Sequence, residues 1–241
     1  MENKFLLKNL TLIIPTFNDD ERIISNINKI VYFLDTHIRN YEVIIVSNGS
    51  SLKSICQLDS VVSKHKYLKH FILKKSGKGL AIREGINESK YHNILFIDAD
   101  CSVEIEELEK FINNESFVSP FVIGNRRSSQ SQNFNSPFFR KVSGYFYIKF
   151  INFLFNINIE DSQCGFKAIN KNIFKNCDQF KSDGFSFDLE LILLAKICNI
   201  QITQVPVDYN HNQNSKVSVF RDSAEMIYEA FKIKKLYKSF F

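Results

Sequence analysis

Asp98 and Asp100 stand one residue apart directly after the apolar run Asn93 to Ile97. Two carboxylates at that spacing, at the end of a strand, can both give oxygen ligands to one hard divalent cation, Mg2+ or Mn2+. Such a cation bridges diphosphate oxygens and neutralises charge that develops on a departing nucleoside diphosphate. The same pair would also serve as an acidic turn before a helix, since acids suit helix N-termini. Gly77, Lys78 and Gly79 open a helical pattern and offer backbone N–H groups and an ammonium to phosphate oxygens, although their glycine spacing is not that of a P-loop. Arg126, Arg127 and Arg140 flank a Ser/Gln/Asn-rich stretch, 128–136, and guanidinium forks match phosphate geometry. Lys216 lies in a polar segment after the last strand pattern, placed to fold over a diphosphate by the same logic. Asp161 reads as a general base or as a group that orients an acceptor. Asp188 and Glu190, two apart at a helix start, suit sugar hydroxyls or the helix dipole.

These residues need a scaffold that brings strand ends together. Leu10 to Ile14, Glu42 to Val46, Phe71 to Leu73 and Asn93 to Ile97 read as buried strands. Helical patterns lie between them, from about Asp20 to Thr36 and from Gly77 to Ser89. Apolar, β-branched runs separated by helices predict a parallel sheet covered on both faces, with ligands at the carboxyl ends of its strands. Phe117 to Ile123 predicts a further strand and 128–136 a mobile surface loop. Helices are expected from about Phe138 to Phe155, Phe187 to Cys198 and Asp222 onward, with a strand from Gln201 to Val207. No repeat or linker interrupts this, so we expect one domain over 1–241, with a nucleotide-sugar half to about 125 and an acceptor half beyond it.

The motifs occur in the order found in the inverting glycosyltransferases of family 2, and the chain resembles them. Pro15, Thr16, Asn18 and Ile23 sit as in that family's opening P-x-Y-N-E-x-x-x-I, Val46 to Ser50 resembles its V-D-D-G-S turn, and Asp98-Ala-Asp100 its D-A-D. Lys75 to Gly85, Gly124 to Arg126, Asp161 to Lys167, Phe185 to Glu190 and Ser215 to Val217 are similar to polyprenyl-phosphate sugar transferases, the dolichyl-phosphate glucosyltransferase branch above all. The resemblance implies the GT-A fold, an α/β Rossmann-like sheet flanked by helices. It implies Mg2+ or Mn2+ on Asp98 and Asp100, a nucleotide-sugar donor (a UDP-sugar) held by Pro15, Thr16, Asn18, Asp20, Ser47, Asn48, Lys78, Asp98 and Lys216, and a lipid phosphate acceptor. Arg126 and Arg140 would hold that lipid phosphate, and Asp100 and Asp161 would complete the catalytic group. The acid that reads the base in the family's V-D-D-G-S turn is Ser47 here, followed by Asn48, and Asp20 and Glu21 are the alternative acids. Transfer to a sugar hydroxyl, or a non-catalytic nucleotide-sugar-binding subunit, are the alternative functions.

The formal charge of +5 suits anionic ligands, but no dense basic stripe marks a nucleic-acid binder. Five scattered cysteines without a C-x-x-C pair suggest reduced thiols and a cytoplasmic setting. No run reaches the roughly 18 apolar residues of a spanning helix. The C-terminal pattern places Ile227, Phe231 and Leu236 beside Lys232, Lys235 and Lys238, which predicts peripheral contact with the cytoplasmic face of a membrane, alone or with a membrane-protein partner.

Overall fold

The computed structural model describes residues 5–134, 138–174, 180–184, 186–210 and 219–238. In chain order its elements are β1 (Leu7–Thr16), α1 (Asp20–His37), β2 (Ile38–Asn48), α2 (Leu52–Val62), β3 (Leu68–Leu73), α3 (Lys78–Glu88) and β4 (Asn93–Phe96). A 3-10 segment (Ile105–Phe111) and a short hairpin, β5 (Ile112–Asn113) and β6 (Ser116–Phe117), lead to β7 (Phe121–Asn125). Then follow β8 (Asn133–Phe134), α4 (Phe138–Phe155), β9 (Lys167–Asn170), α5 (Phe187–Ile197), β10 (Ile202–Pro206), β11 (Tyr209–Asn210) and α6 (Val219–Leu236).

Seven strands form one sheet in the order β10-β7-β9-β4-β1-β2-β3. All neighbours run parallel except β9, which is antiparallel to both β4 and β7. The central strands are buried on both faces, as their unbroken apolar runs require. On one face Leu12, Ile14, Val43 and Ile45 pack with Ile23, Ile27 and Leu34 of α1. On the other, Ile13, Ile44 and Phe96 pack with Ala81 and Ile82 of α3 and Leu191 and Ile192 of α5.

The structure departs from the sequence reading at several elements. Phe117 to Ile123 is not one strand: Phe117 closes the β5–β6 hairpin, and Pro120, which has no N–H for a ladder, stands before β7. β9 was not expected, and neither was α2. The 128–136 stretch is partly ordered, since Asn133 and Phe134 pair with Tyr209 and Asn210. One chemical expectation is also corrected. Cys198 is disulfide-bonded, while Cys56, Cys101 and Cys164 are free thiols.

Candidate active site

Four strand ends converge on the site. β1 ends at Thr16, β2 at Asn48, β4 runs into Asp98, and β7 runs into Arg126. The turns after β1 and β2 are locked together. Asn18 adopts a left-handed φ of 52°, which asparagine tolerates, and its Oδ1 accepts the Ser51 N–H at 2.8 Å. Asn48 Nδ2 donates to the Thr16 carbonyl at 2.8 Å and its Oδ1 accepts the Gly77 N–H at 2.9 Å. Asp20 is buried and accepts the Ser54 hydroxyl at 2.5 Å. Ser47 is fully buried, 2.8 Å from His70 Nε2, and His70 Nδ1 lies 2.6 Å from Asp59. Thus the side chains of Asn18, Asp20, Ser47 and Asn48 tie the turns after β1 and β2 to their neighbours Ser51, Ser54, His70 and Gly77, whereas the buried Thr16 hydroxyl has no protein partner. Glu21 is exposed at the start of α1.

A ladder of alternating charges crosses the site. Lys78 Nζ lies 2.9 Å from Asp98 Oδ1 and 3.0 Å from Asp188 Oδ2. Asp188 Oδ1 lies 2.5 Å from Lys167 Nζ, which also donates to the Cys164 carbonyl. Side-chain exposure falls from 43% at Asp98 to 13% at Lys78, 1% at Asp188 and 0% at Lys167, so only Asp98 faces open solvent. Burial would lower the Lys78 pKa, but Asp188 and Asp98 outweigh it and raise it above the ordinary lysine range. Burial likewise opposes ionised Asp188, yet Lys167 and Lys78 hold its carboxyl below the usual range. Asp188 is therefore committed to cations, and Glu190, which accepts the N–H groups of Lys181 and Ser182 and the Tyr237 hydroxyl, is committed to structure.

Gly165 explains why Asp98 can sit where it does. A Cβ built there would fall 2.5 Å from Asp98 Oδ1 and closer still to Oδ2. Only a glycine lets the backbone pass behind the carboxylate. Asp100 follows one residue on, its Oδ1 accepting the Ser102 N–H at 3.1 Å. Asp98, Asp100, Ser102, Arg126, Gly165 and Tyr209 line one cleft. Burial, then Asp100, Glu104 and Asp98, push the Cys101 thiol up to about 12. The donor set fits a hard dication: two carboxylates, one of them in a tailored cradle, and the unpartnered buried hydroxyl of Ser102 beside them. No cluster of three acidic, His or Cys side chains that could hold a metal occurs among the described residues.

Arg126, which the resemblance implies as a lipid-phosphate residue, is paired with Asp161. Its Nε and Nη2 donate to Asp161 Oδ2 and Oδ1 at 2.7 and 2.9 Å, its backbone N–H adds a bond at 3.2 Å, and its guanidinium lies 5.0 Å from the Tyr209 ring centre. Burial would raise the Asp161 carboxyl, but Arg126 holds it below the usual carboxylate range. Arg127 packs over Gly144 of α4, where a Cβ would collide with its guanidinium, and burial lowers its pKa. The α3 N-terminus is also more occupied than its sequence suggested: the Leu80 N–H donates to the Asp183 carbonyl, and Lys75 and Arg83 pair with the Asp183 carboxylate. Arg140 falls in the first turn of α4 but its side chain, like all of Lys216, lies outside the described residues. Tyr209 was not singled out from the sequence, and Gly165 and Lys167 entered only as members of the family-like run Asp161 to Lys167. Lys167 carried a legible signal, being a lysine inside the otherwise apolar run Cys164 to Ile169.

A mostly parallel sheet flanked by helices, with a D-x-D pair at the end of a central strand, defines a GT-A glycosyltransferase fold. Among solved structures, mannosyl-3-phosphoglycerate synthase from Rubrobacter xylanophilus superposes with a TM-score of 0.70 at 15% identity, covering 96% of this chain and 75% of its own. Glucosyl-3-phosphoglycerate synthase from Mycobacterium tuberculosis, crystallised with Mn2+, UDP and phosphoglyceric acid, gives 0.66 at 14% identity, covering 94% and 77%. The chain belongs to glycosyl transferase family 2, whose model matches residues 11–177. It is similar to the dolichyl-phosphate β-glucosyltransferase of Dictyostelium discoideum, 26% identical over 98% of this chain and 78% of that protein. The enzyme of the same description from Saccharomyces cerevisiae is 27% identical over 95% and 75%.

Proposed function

We propose that this enzyme moves a sugar from a UDP-sugar to a polyprenyl or dolichyl phosphate, with inversion, at the cytoplasmic face of a membrane, and that the chain works as one domain. The observation that carries the acceptor assignment is the Asp161–Arg126 pair. The carboxylates described around the cleft are committed: Asp161 to Arg126, Asp188 to two lysines, and Asp98 and Asp100 to the metal position. A hydroxyl acceptor needs a base to remove its proton. A phosphate monoester, with a second pKa near 6, is already a dianion at neutral pH. One of its oxygens forms the new bond to the anomeric carbon while the bond to the diphosphate breaks, and the electron pair leaves on the diphosphate. Asp98 and Asp100 would hold Mg2+ or Mn2+, which supplies neutralisation of that leaving group. Gly165 keeps Asp98 in place, and Arg126, positioned by Asp161, borders the same cleft as a fixed cation.

The test is an acceptor comparison. A short polyprenyl phosphate is glycosylated, the matching free alcohol is not, and the rate rises with pH through about 6 as the acceptor ionises. Because the Asp161 pKa is lowered, no carboxylate-controlled limb appears between pH 5 and 8. Equal turnover of the free alcohol would favour a hydroxyl-transferring enzyme.

The membrane assignment rests on α4 and α6. No helix among the described residues is long and apolar enough to cross a membrane. Ala230, Ile233 and Tyr237 of α6 pack inward with Ile151 and Phe155 of α4 and Leu189 and Leu193 of α5. Other aromatics face outward: Phe146 and Phe153 of α4, and Tyr228 and Phe231 of α6, are exposed, with Phe153 at 88%. Phe150 joins the two helices by an edge contact with Phe231. Lys149 of α4 is exposed as well, as are Lys232, Lys235 and Lys238 on or beside α6. Each lysine near an anionic surface contributes about 1 kcal/mol. Wild-type protein should sediment with anionic vesicles, and the double variant Phe153→Ser, Phe231→Ser should lose most of that binding. Unchanged sedimentation of the variant would remove these helices from the membrane contact.

A further inference from the structure

Lys78 holds one oxygen of Asp98, a carboxylate assigned to the metal. Its ammonium stands 2.9 Å from Asp98 Oδ1, while the Asp98 side chain is backed by Gly165 and has no room to retreat. On its other side Lys78 is anchored by Asp188 at 3.0 Å, and Asp188 is itself fixed by the fully buried Lys167. The ammonium is therefore shared between a permanent partner, Asp188, and an exchangeable one, Asp98.

We infer that Lys78 is an exchangeable counter-ion, which yields Asp98 to the divalent cation and takes the donor diphosphate as its replacement anion, so that metal and nucleoside diphosphate bind cooperatively. The inference rests on the metal and donor reading above and deepens it. A dication on Asp98 Oδ1 and the ammonium on the same oxygen repel one another at close range in a partly buried site. Metal alone must displace Lys78 from Asp98, with only Asp188 left to neutralise it. When the diphosphate arrives with the metal, its oxygens restore the lost partner. Linkage makes the effect reciprocal: whatever the diphosphate adds to metal affinity, the metal adds to diphosphate affinity.

The experiment is a Mn2+ titration of the full chain, following the electron paramagnetic resonance signal of free Mn2+, with and without UDP. The variants are Lys78→Met, Lys78→Gln, which keeps a donor amide, and Lys75→Met. The last removes an equal charge from the exposed end of the same loop, where Lys75 pairs with Asp183. Both Lys78 variants should bind Mn2+ alone about fivefold more tightly than wild type, or better, the lower end of ordinary site-to-site coupling. UDP should tighten Mn2+ binding much less in them than in wild type, and Lys75→Met should behave as wild type. Mn2+ binding by the Lys78 variants no tighter than by wild type, or a Lys75→Met effect as large as theirs, overturns the inference while leaving the metal reading intact. No Mn2+ binding by wild type even with UDP overturns both.

Discussion

Asp98→Asn should lower sugar transfer by at least about a hundredfold while the protein stays folded, the size expected when a group that stabilises developing charge is lost. Asp98 lies at the solvent end of the charge ladder, with its side chain 43% exposed, so the neutral amide of Asn and water can fill its place beside Lys78 without unfolding the chain. Lys78 keeps Asp188 as a partner when Asp98 is neutralised. The loss therefore falls on chemistry and on metal binding, and circular dichroism and thermal unfolding should match wild type. Asp100→Asn should behave similarly. Undiminished wild-type activity in EDTA would contradict this assignment.

Gly165→Ala should be nearly as damaging, though residue 165 carries no chemistry. The added Cβ would overlap both Asp98 oxygens, so the carboxylate must leave its position or the backbone must shift. Either movement displaces a metal ligand that tolerates little misplacement. A double-variant cycle separates this cause from a general loss of fold. In an Asp98→Ala background the obstructing carboxylate is gone, and adding Gly165→Ala should cost almost nothing further. The two changes should thus be strongly non-additive, as contacting residues are. Additive losses would mean that Gly165 acts through something other than Asp98.

The parts of the fold that were legible are those governed by short-range pattern. The runs Leu10 to Ile14, Glu42 to Val46 and Asn93 to Ile97 became central strands because buried parallel strands need apolar residues on both faces. Phe138 to Phe155 forms one helix with the bounds its pattern suggested. α2 was overlooked although Ser51 caps it and Ile55, Leu58, Val61 and Val62 give it helical spacing. β9 is different. Its four residues are too few to show a period, and it is a strand because β4 and β7 pair with it from either side.

The site divides in the same way. Asp98 and Asp100 were legible because both lie on one turn, and chemistry needs only their spacing. The ladder from Lys167 through Asp188 and Lys78 to Asp98 was not, since its members are brought together only by packing of β9, α5, α3 and the turn after β4. Arg126 and Asp161 are 35 positions apart, and nothing local shows that each satisfies the other. The pairing adds what the sequence could not show: against the cost of burial, Arg126 holds the Asp161 carboxyl below the usual carboxylate range.

The most direct test of the central claim is the mass of the lipid product. The full chain would be incubated with Mn2+, a short polyprenyl phosphate and, in separate reactions, UDP-glucose, UDP-galactose, UDP-N-acetylglucosamine and GDP-mannose. The account predicts a lipid phosphate heavier by one sugar residue from a UDP-sugar, absent when EDTA is added and absent when the lipid is omitted. Failure of every donor to yield such a lipid, under conditions where the protein binds Mn2+ and UDP, would contradict it.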